Sequence, residues 1–164
     1  MSSNAVIRQL VSLVDEAYNR RSWHGTSLRG SIRGLTAAQA AWRPGRDRHN
    51  IRELVVHCAY WKYTVVRRMT GEKRGSFELE GSNFFPRSGS DERAWKSDIA
   101  LLDQTHRTLR DVVAATPPAR LGRRLGRFTN AQTISGIAAH DLYHAGQIQL
   151  IKRLLPSRLA RRAG

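Results

Sequence analysis

The chain has 164 residues, which suits a single domain with one sizeable core, about residues 5–155. No stretch approaches the roughly 18 uncharged apolar residues of a membrane span. The one cysteine, Cys58, excludes an internal disulfide and a cysteine-rich zinc site, so a metal would have to be held by histidine or carboxylate. The net charge of +15 raises the question of an anionic partner. Yet arginine outnumbers lysine 24 to 4 and is spread along the chain. The densest clusters, 120–127 and the tail 152–164, do not interleave aromatics with cations as single-strand binders do, which argues against nucleic acid as the main partner. The N-terminus acquires charge too early for an apolar signal-peptide core, so the expected location is the cytoplasm.

Helical periodicity dominates. A first helix is predicted over about 4–21, with Val6, Leu10, Leu13, Val14 and Ala17 on one stripe. Residues 22–44 read as a break at Gly25 followed by short helical turns, one capped by Thr36 and stopped by Pro44. A second long helix is predicted from the N-cap Asn50 to Thr70, with Ile51, Leu54, Val55, Cys58, Trp61, Val65 and Met69 inward and Gly71 as its stop. The Gly-, Ser- and Pro-rich segment 71–90 has no period and reads as a long loop. A third helix is expected over 91–115, started at Ser90 and ended before Pro117-Pro118. Segment 119–130 is irregular with a short extended piece near Phe128. A fourth helix is expected from Ala131 to Leu155, stopped by Pro156. Four long helices with long connections describe an all-α four-helix bundle with crossover links, followed by a basic tail at 156–164.

The chemistry-bearing stretch is "AAHDLYHAGQIQL", residues 138–150. Its His140 and His144 are four apart and share one helix face. This is the spacing of the helical zinc ligands in H-E-x-x-H, but Asp141 stands where the protease glutamate would be. Alone, the pair does not distinguish a metal site from two structural histidines. His57, flanking the stripe of the second helix beside Leu54 and Trp61, is the candidate third ligand. Facing helices of a bundle can deliver side chains to one point, and three histidines plus water make an open, catalytic-type site. His49 precedes a cap, His106 sits among polar residues and His24 lies in a break, so these fit less well.

The motif H-x-x-x-H-x-G-Q-I (His140, His144, Gly146, Gln147, Ile148) resembles the closing motif of the DinB/YfiT-like superfamily. Segment 35–63, "LTAAQAAWRPGRDRHNIRELVVHCAYWKY", is similar to the family's approach to its second helix, with a histidine near the middle followed by an aromatic. The resemblance covers about residues 5–155. It implies up-down-down-up connectivity, a homodimer, and a divalent metal, zinc or nickel, held by His57, His140 and His144 with water completing the sphere. Relatives include transferases and isomerases that use low-molecular-weight thiols, and hydrolase-type members. Tyr143 departs from the pattern, because many relatives carry another histidine there; position 143 is expected to point away from the other ligands.

Around the three histidines, Trp61 is expected to line a pocket. Asp141 falls on the inner half of its helix, where it either orients a ligand imidazole or, more simply, pairs with an arginine. Gln147 either touches substrate or hydrogen-bonds within the bundle. Cys58 reads as buried filler rather than nucleophile, Glu53 as solvent-facing in preference to a group supporting a ligand from behind, and Tyr60 and Tyr143 as hydroxyl donors or interface residues. With no convincing protein nucleophile, the sequence points to metal-dependent transfer or hydrolysis. The alternatives are a non-catalytic metal- or ligand-binding module and, less so, nucleic-acid association through the basic tail.

Overall fold

The computed structural model describes residues 3–160. Four long helices carry it: α1 (Ser3–Tyr18), α4 (Ile51–Thr70), α5 (Glu92–Ala114) and α6 (Asn130–Leu154). Between α1 and α4 lie two short helices, α2 (Leu28–Ser31) and α3 (Ala37–Ala41). A single 3-10 turn (Pro118–Arg120) and a two-residue antiparallel hairpin, β1 (Arg124–Leu125) with β2 (Phe128–Thr129), connect α5 to α6. One further turn, α7 (Ser157–Ala160), follows Pro156. It includes part of the basic tail, whose residues 161–164 lie outside the described residues. Among the described residues, no helix is long and apolar enough to cross a membrane.

The predicted boundaries hold to within a few residues, and the departures have local causes. Helix α1 stops at Tyr18 because the amides of Asn19 and Arg20 both turn back to the Asp15 carbonyl. The α5 cap is Asp91, whose carboxylate accepts from the Arg93 amide, and not Ser90. Helix α6 opens one residue early because Thr129 and Gln132 form a capping box. Asn50 caps α4 by accepting from the Glu53 amide, and Gly71 ends that helix at a left-handed φ of 83°.

Helices α1 and α4 each pack against both α5 and α6. Two apolar clusters result. One gathers Leu28, Ile32, Ile51, Val55, Trp95, Leu102 and Ile148, and the other Leu10, Val14, Val65, Leu109, Ile134 and Ile137. Each large buried aliphatic contributes about 1.5–3 kcal/mol of burial. Between the clusters lie buried polar residues, Lys62 on α4, His106 on α5, and Asp141 and His144 on α6, with His57 flanked by first-cluster residues of α4. The histidine level of the molecule is therefore a polar layer between two apolar ones.

The long loop 71–90 is tied down by buried polar groups of α4. Asn50 Nδ2 donates to the Arg87 carbonyl (2.7 Å), Arg52 donates to the carbonyls of Ser88 and Gly89, and Arg52 and Arg87 both meet Asp98. Glu53, expected to face solvent, is buried, because the loop and the 42–49 segment fold over it and supply Arg43, His49 and the Arg87 amide. Replacing Asn50 with alanine should cost at least about 1–2 kcal/mol in urea unfolding, since cap and loop anchor go together. Ser90→Ala should move the same curve by less than about 0.5 kcal/mol.

Candidate metal centre

His57 stands midway along α4, and His140 and His144 lie one turn apart on α6. The two helices pack together, and the three imidazoles meet across their interface. His140 Nε2 lies 3.1 Å from His57 Nε2 and 3.2 Å from His144 Nε2. All three donor atoms fall within 4.8 Å of one another. An ion bound tetrahedrally at ~2.0–2.1 Å from imidazole nitrogens sets those nitrogens about 3.3 Å apart.

Hydrogen bonds on the far side of each ring decide what those nitrogens present. His57 Nδ1 lies 2.8 Å from the Asn83 carbonyl, which can only accept, so the proton sits on Nδ1 and Nε2 carries a lone pair. His144 Nδ1 lies 2.7 Å from Gln147 Oε1, with the same consequence. Two lone pairs therefore point at His140 Nε2; a neutral His140 with its proton on Nε2 has one N–H for the two of them, whereas a cation between the rings would engage all three nitrogens. His140 Nδ1 is buried and has no hydrogen-bond partner. A second proton is not taken up. Burial, then the charges of His144, His57 and Lys62, hold His140 down at about 3. Burial likewise lowers His144 to about 4, against the opposing Gln147 bond, and it lowers His57. The imidazoles are neutral at pH 7, the state that metal ligation requires.

The cluster forms one end of a cavity of about 980 Å³. Leu54, Trp61, Phe84, Leu150, Ile151 and Leu154 supply apolar wall, while Asp47, Arg48 and His49 supply a polar rim. Trp61 lines this cavity and donates Nε1–H to Asn83 Oδ1 at 3.0 Å. Asn83 is a residue that the sequence did not single out. Its φ of 66° is left-handed, a region asparagine tolerates better than most residues, and it aims one carbonyl at His57. Phe84, also unforeseen, is stacked between His57 (4.0 Å between centroids) and His49 (3.7 Å).

Several other expectations change. Asp141 does not line the cavity; it is buried and ion-paired with Lys62, and no arginine is involved. Gln147 bonds within its own helix, to the ligand candidate His144, and also lines the cavity. Tyr143 does not point away; its exposed ring lines the cavity edge-on to His144, 5.0 Å between centroids. His49, set aside earlier, lines the cavity and is held through Nδ1 by Glu53 at 2.9 Å. Burial pushes the Glu53 carboxyl up, but bonds from Arg43, His49 and the Arg87 amide outweigh it and hold Glu53 below the usual carboxylate range. Cys58 is buried filler as expected, and burial pushes its thiol well up. His106 is buried against Tyr18 and Asp15, away from the cluster, and Tyr60 lines a different cavity.

Compared with known protein families, residues 10–148 match the DinB superfamily. The chain belongs to the DinB superfamily. In comparisons with curated proteins and with solved structures, nothing matches. The mostly helical fold and the three-histidine cluster of this DinB protein are compatible with a bound divalent metal.

Acid should destabilise the metal-free protein. Because the folded pKa values of His140 and His144 lie below the unfolded one of ~6.5, stability is intact above that pH and is lost as pH falls toward 3–4. From pH 7 to 5 the loss is roughly 2 kcal/mol per imidazole. Urea unfolding across this range should show it, and His140→Gln should flatten the slope; an unchanged slope would contradict the burial argument.

Proposed function

We propose that this DinB protein is a divalent-metal-dependent enzyme of the thiol-dependent transferase or hydrolase type, with His57, His140 and His144 as the protein ligands to zinc or nickel. The observation that carries the reading is the convergence of three neutral Nε2 atoms at the end of an open cavity. A divalent ion held there would lower the pKa of an arriving water or thiol into the neutral range and polarise a substrate atom.

The chain's own residues suit the remaining tasks. The Leu54, Trp61, Phe84 and Leu150 wall would hold an apolar substrate portion and exclude water. Arg48 on the rim, within a chain of net charge +15, would favour anionic substrates, low-molecular-weight thiols among them. His49, oriented by Glu53 through Nδ1, has Nε2 available to take a proton from the incoming nucleophile. Cys58 is ruled out as that nucleophile by its burial.

The same reading includes a single domain with up-down-down-up connectivity. Asp15–Arg110 and Tyr18–Asp103 set α1 against α5. Arg52–Asp98, with Val66 and Thr105 on one small cavity, runs α5 along α4. Lys62–Asp141, with Leu54 and Ile151 on the large cavity, sets α6 against α4. It also includes a cytoplasmic homodimer, for which the exposed Tyr143, Leu150 and Leu154 on α6 offer an apolar edge.

Elemental analysis of the purified protein should find about one zinc or nickel per chain. His144→Ala should abolish metal retention together with any turnover of small thiols with electrophiles, or of esters. Full turnover by a metal-free preparation would sink the proposal. Chelation should leave the circular dichroism of the helices intact; unfolding on chelation would make the metal a structural brace. His49→Gln should keep the metal and slow turnover by about 10²–10⁴-fold.

A further inference from the structure

Lys62 and Asp141 lie in the interior, 0% and 1% exposed, and form an ion pair through Asp141 Oδ2. Removing two charges from water costs several kcal/mol per ion, and an apolar pair of similar volume is often at least as stable. The pair therefore needs a reason beyond packing. Only half of the carboxylate is engaged: Asp141 Oδ1 is buried with no hydrogen-bond partner. The complementary group, His140 Nδ1, is also buried and unpartnered. An imidazole nitrogen of His140, an Asp141 oxygen and Cys58 Sγ all lie within 4.8 Å of one another. One bridging water, with two bonds of ~2.8 Å, spans such a gap and satisfies both orphans.

We propose that Asp141 is a positioning residue of the metal centre: pinned by Lys62, it receives the His140 Nδ1–H through one buried water and so aims His140 Nε2 at the ion. This rests on the three-histidine reading above. It completes a pattern, because His57 has its outer nitrogen held by Asn83 and His144 by Gln147, leaving His140 as the ring without a holder. Lys62 matters because it holds Oδ2 and so fixes the carboxylate's angle, leaving Oδ1 as the oxygen free to accept. Cys58 Sγ is the competing neighbour, but a thiol is a weak acceptor.

The test is a zinc titration of metal-free protein against a chromophoric chelator. In the double variant Lys62→Met/Asp141→Leu, helicity and thermal midpoint should persist while zinc affinity falls about 10- to 100-fold. In the ¹⁵N-edited imidazole spectrum of the zinc-loaded protein, the slowly exchanging His140 Nδ1–H should vanish. A purely structural role would move the thermal midpoint and leave the affinity of the folded protein alone. Wild-type affinity with an unchanged Nδ1–H signal in the folded double variant overturns the proposal. Should that variant fail to fold, the isosteric Asp141→Asn replaces it, with weakened zinc binding expected and wild-type binding overturning. Cys58→Ala should bind zinc normally; a loss as large as the double variant's would give the proton to the thiol and overturn the Asp141 assignment. If the wild-type protein itself retains no zinc, the three-histidine reading falls, an outcome distinct from equal affinities in wild type and variant.

Discussion

A buried polar layer organises this molecule. Where α1, α4, α5 and α6 face one another, the buried side chains include Lys62, Asp141, His57, His144, His106 and the phenol Tyr18, with half-buried His140 beside them. Each polar group placed there loses water and must be met by a partner from another element, so the partners dictate how the helices sit. Lys62 meets Asp141, Tyr18 meets Asp103, and Arg110 meets Asp15. A helix shifted by one turn would leave a charge or a donor buried without its partner. The apolar clusters on either side supply most of the driving force but little of this register, because aliphatic contacts are not directional.

The candidate metal centre follows from that layer and from the loop that closes over it. The loop is held to the site by its later part, where Arg52 and Asn50 bind its carbonyls, and by Asn83, whose left-handed backbone accompanies its carbonyl's bond to His57. In the three converging imidazoles, the outer bonds of His57 and His144 leave two lone pairs facing His140 Nε2, which as a neutral ring has one N–H to offer them. Their neutrality comes from burial, the same burial that makes the layer demanding.

The cavity beside the cluster combines aromatic and aliphatic lining with Arg48, Asp47 and a histidine fixed by a buried glutamate. Phe84 connects the cluster to that histidine, since its ring stacks on His57 and His49 at once. The three-histidine cluster thus faces a cavity that offers both apolar surface and charged groups.

Much was legible in the residues themselves. Period-3.6 stripes, Asn50, Gly71 and the proline stops located the long helices, because those signals act within one or two turns of chain. The i, i+4 spacing of His140 and His144 placed both rings on one face of α6, and the place of His57 beside the apolar stripe of α4 made it the candidate third ligand. What escaped was whatever depends on an element distant in sequence. Nothing in "EGSNFF" marks Asn83 as the holder of His57, since that role arises only when the loop folds back over α4. Glu53 reads more readily as a surface carboxylate until the 42–49 segment and the loop cover it, and Asp141 reads either as an imidazole-orienting group or as an arginine partner, while its partner Lys62 emerges only when α4 packs against α6. Local sequence determines helix and face by short-range sterics and hydrogen bonding. Only the packed bundle decides which buried polar group meets which, because that pairing is fixed by desolvation across helix interfaces.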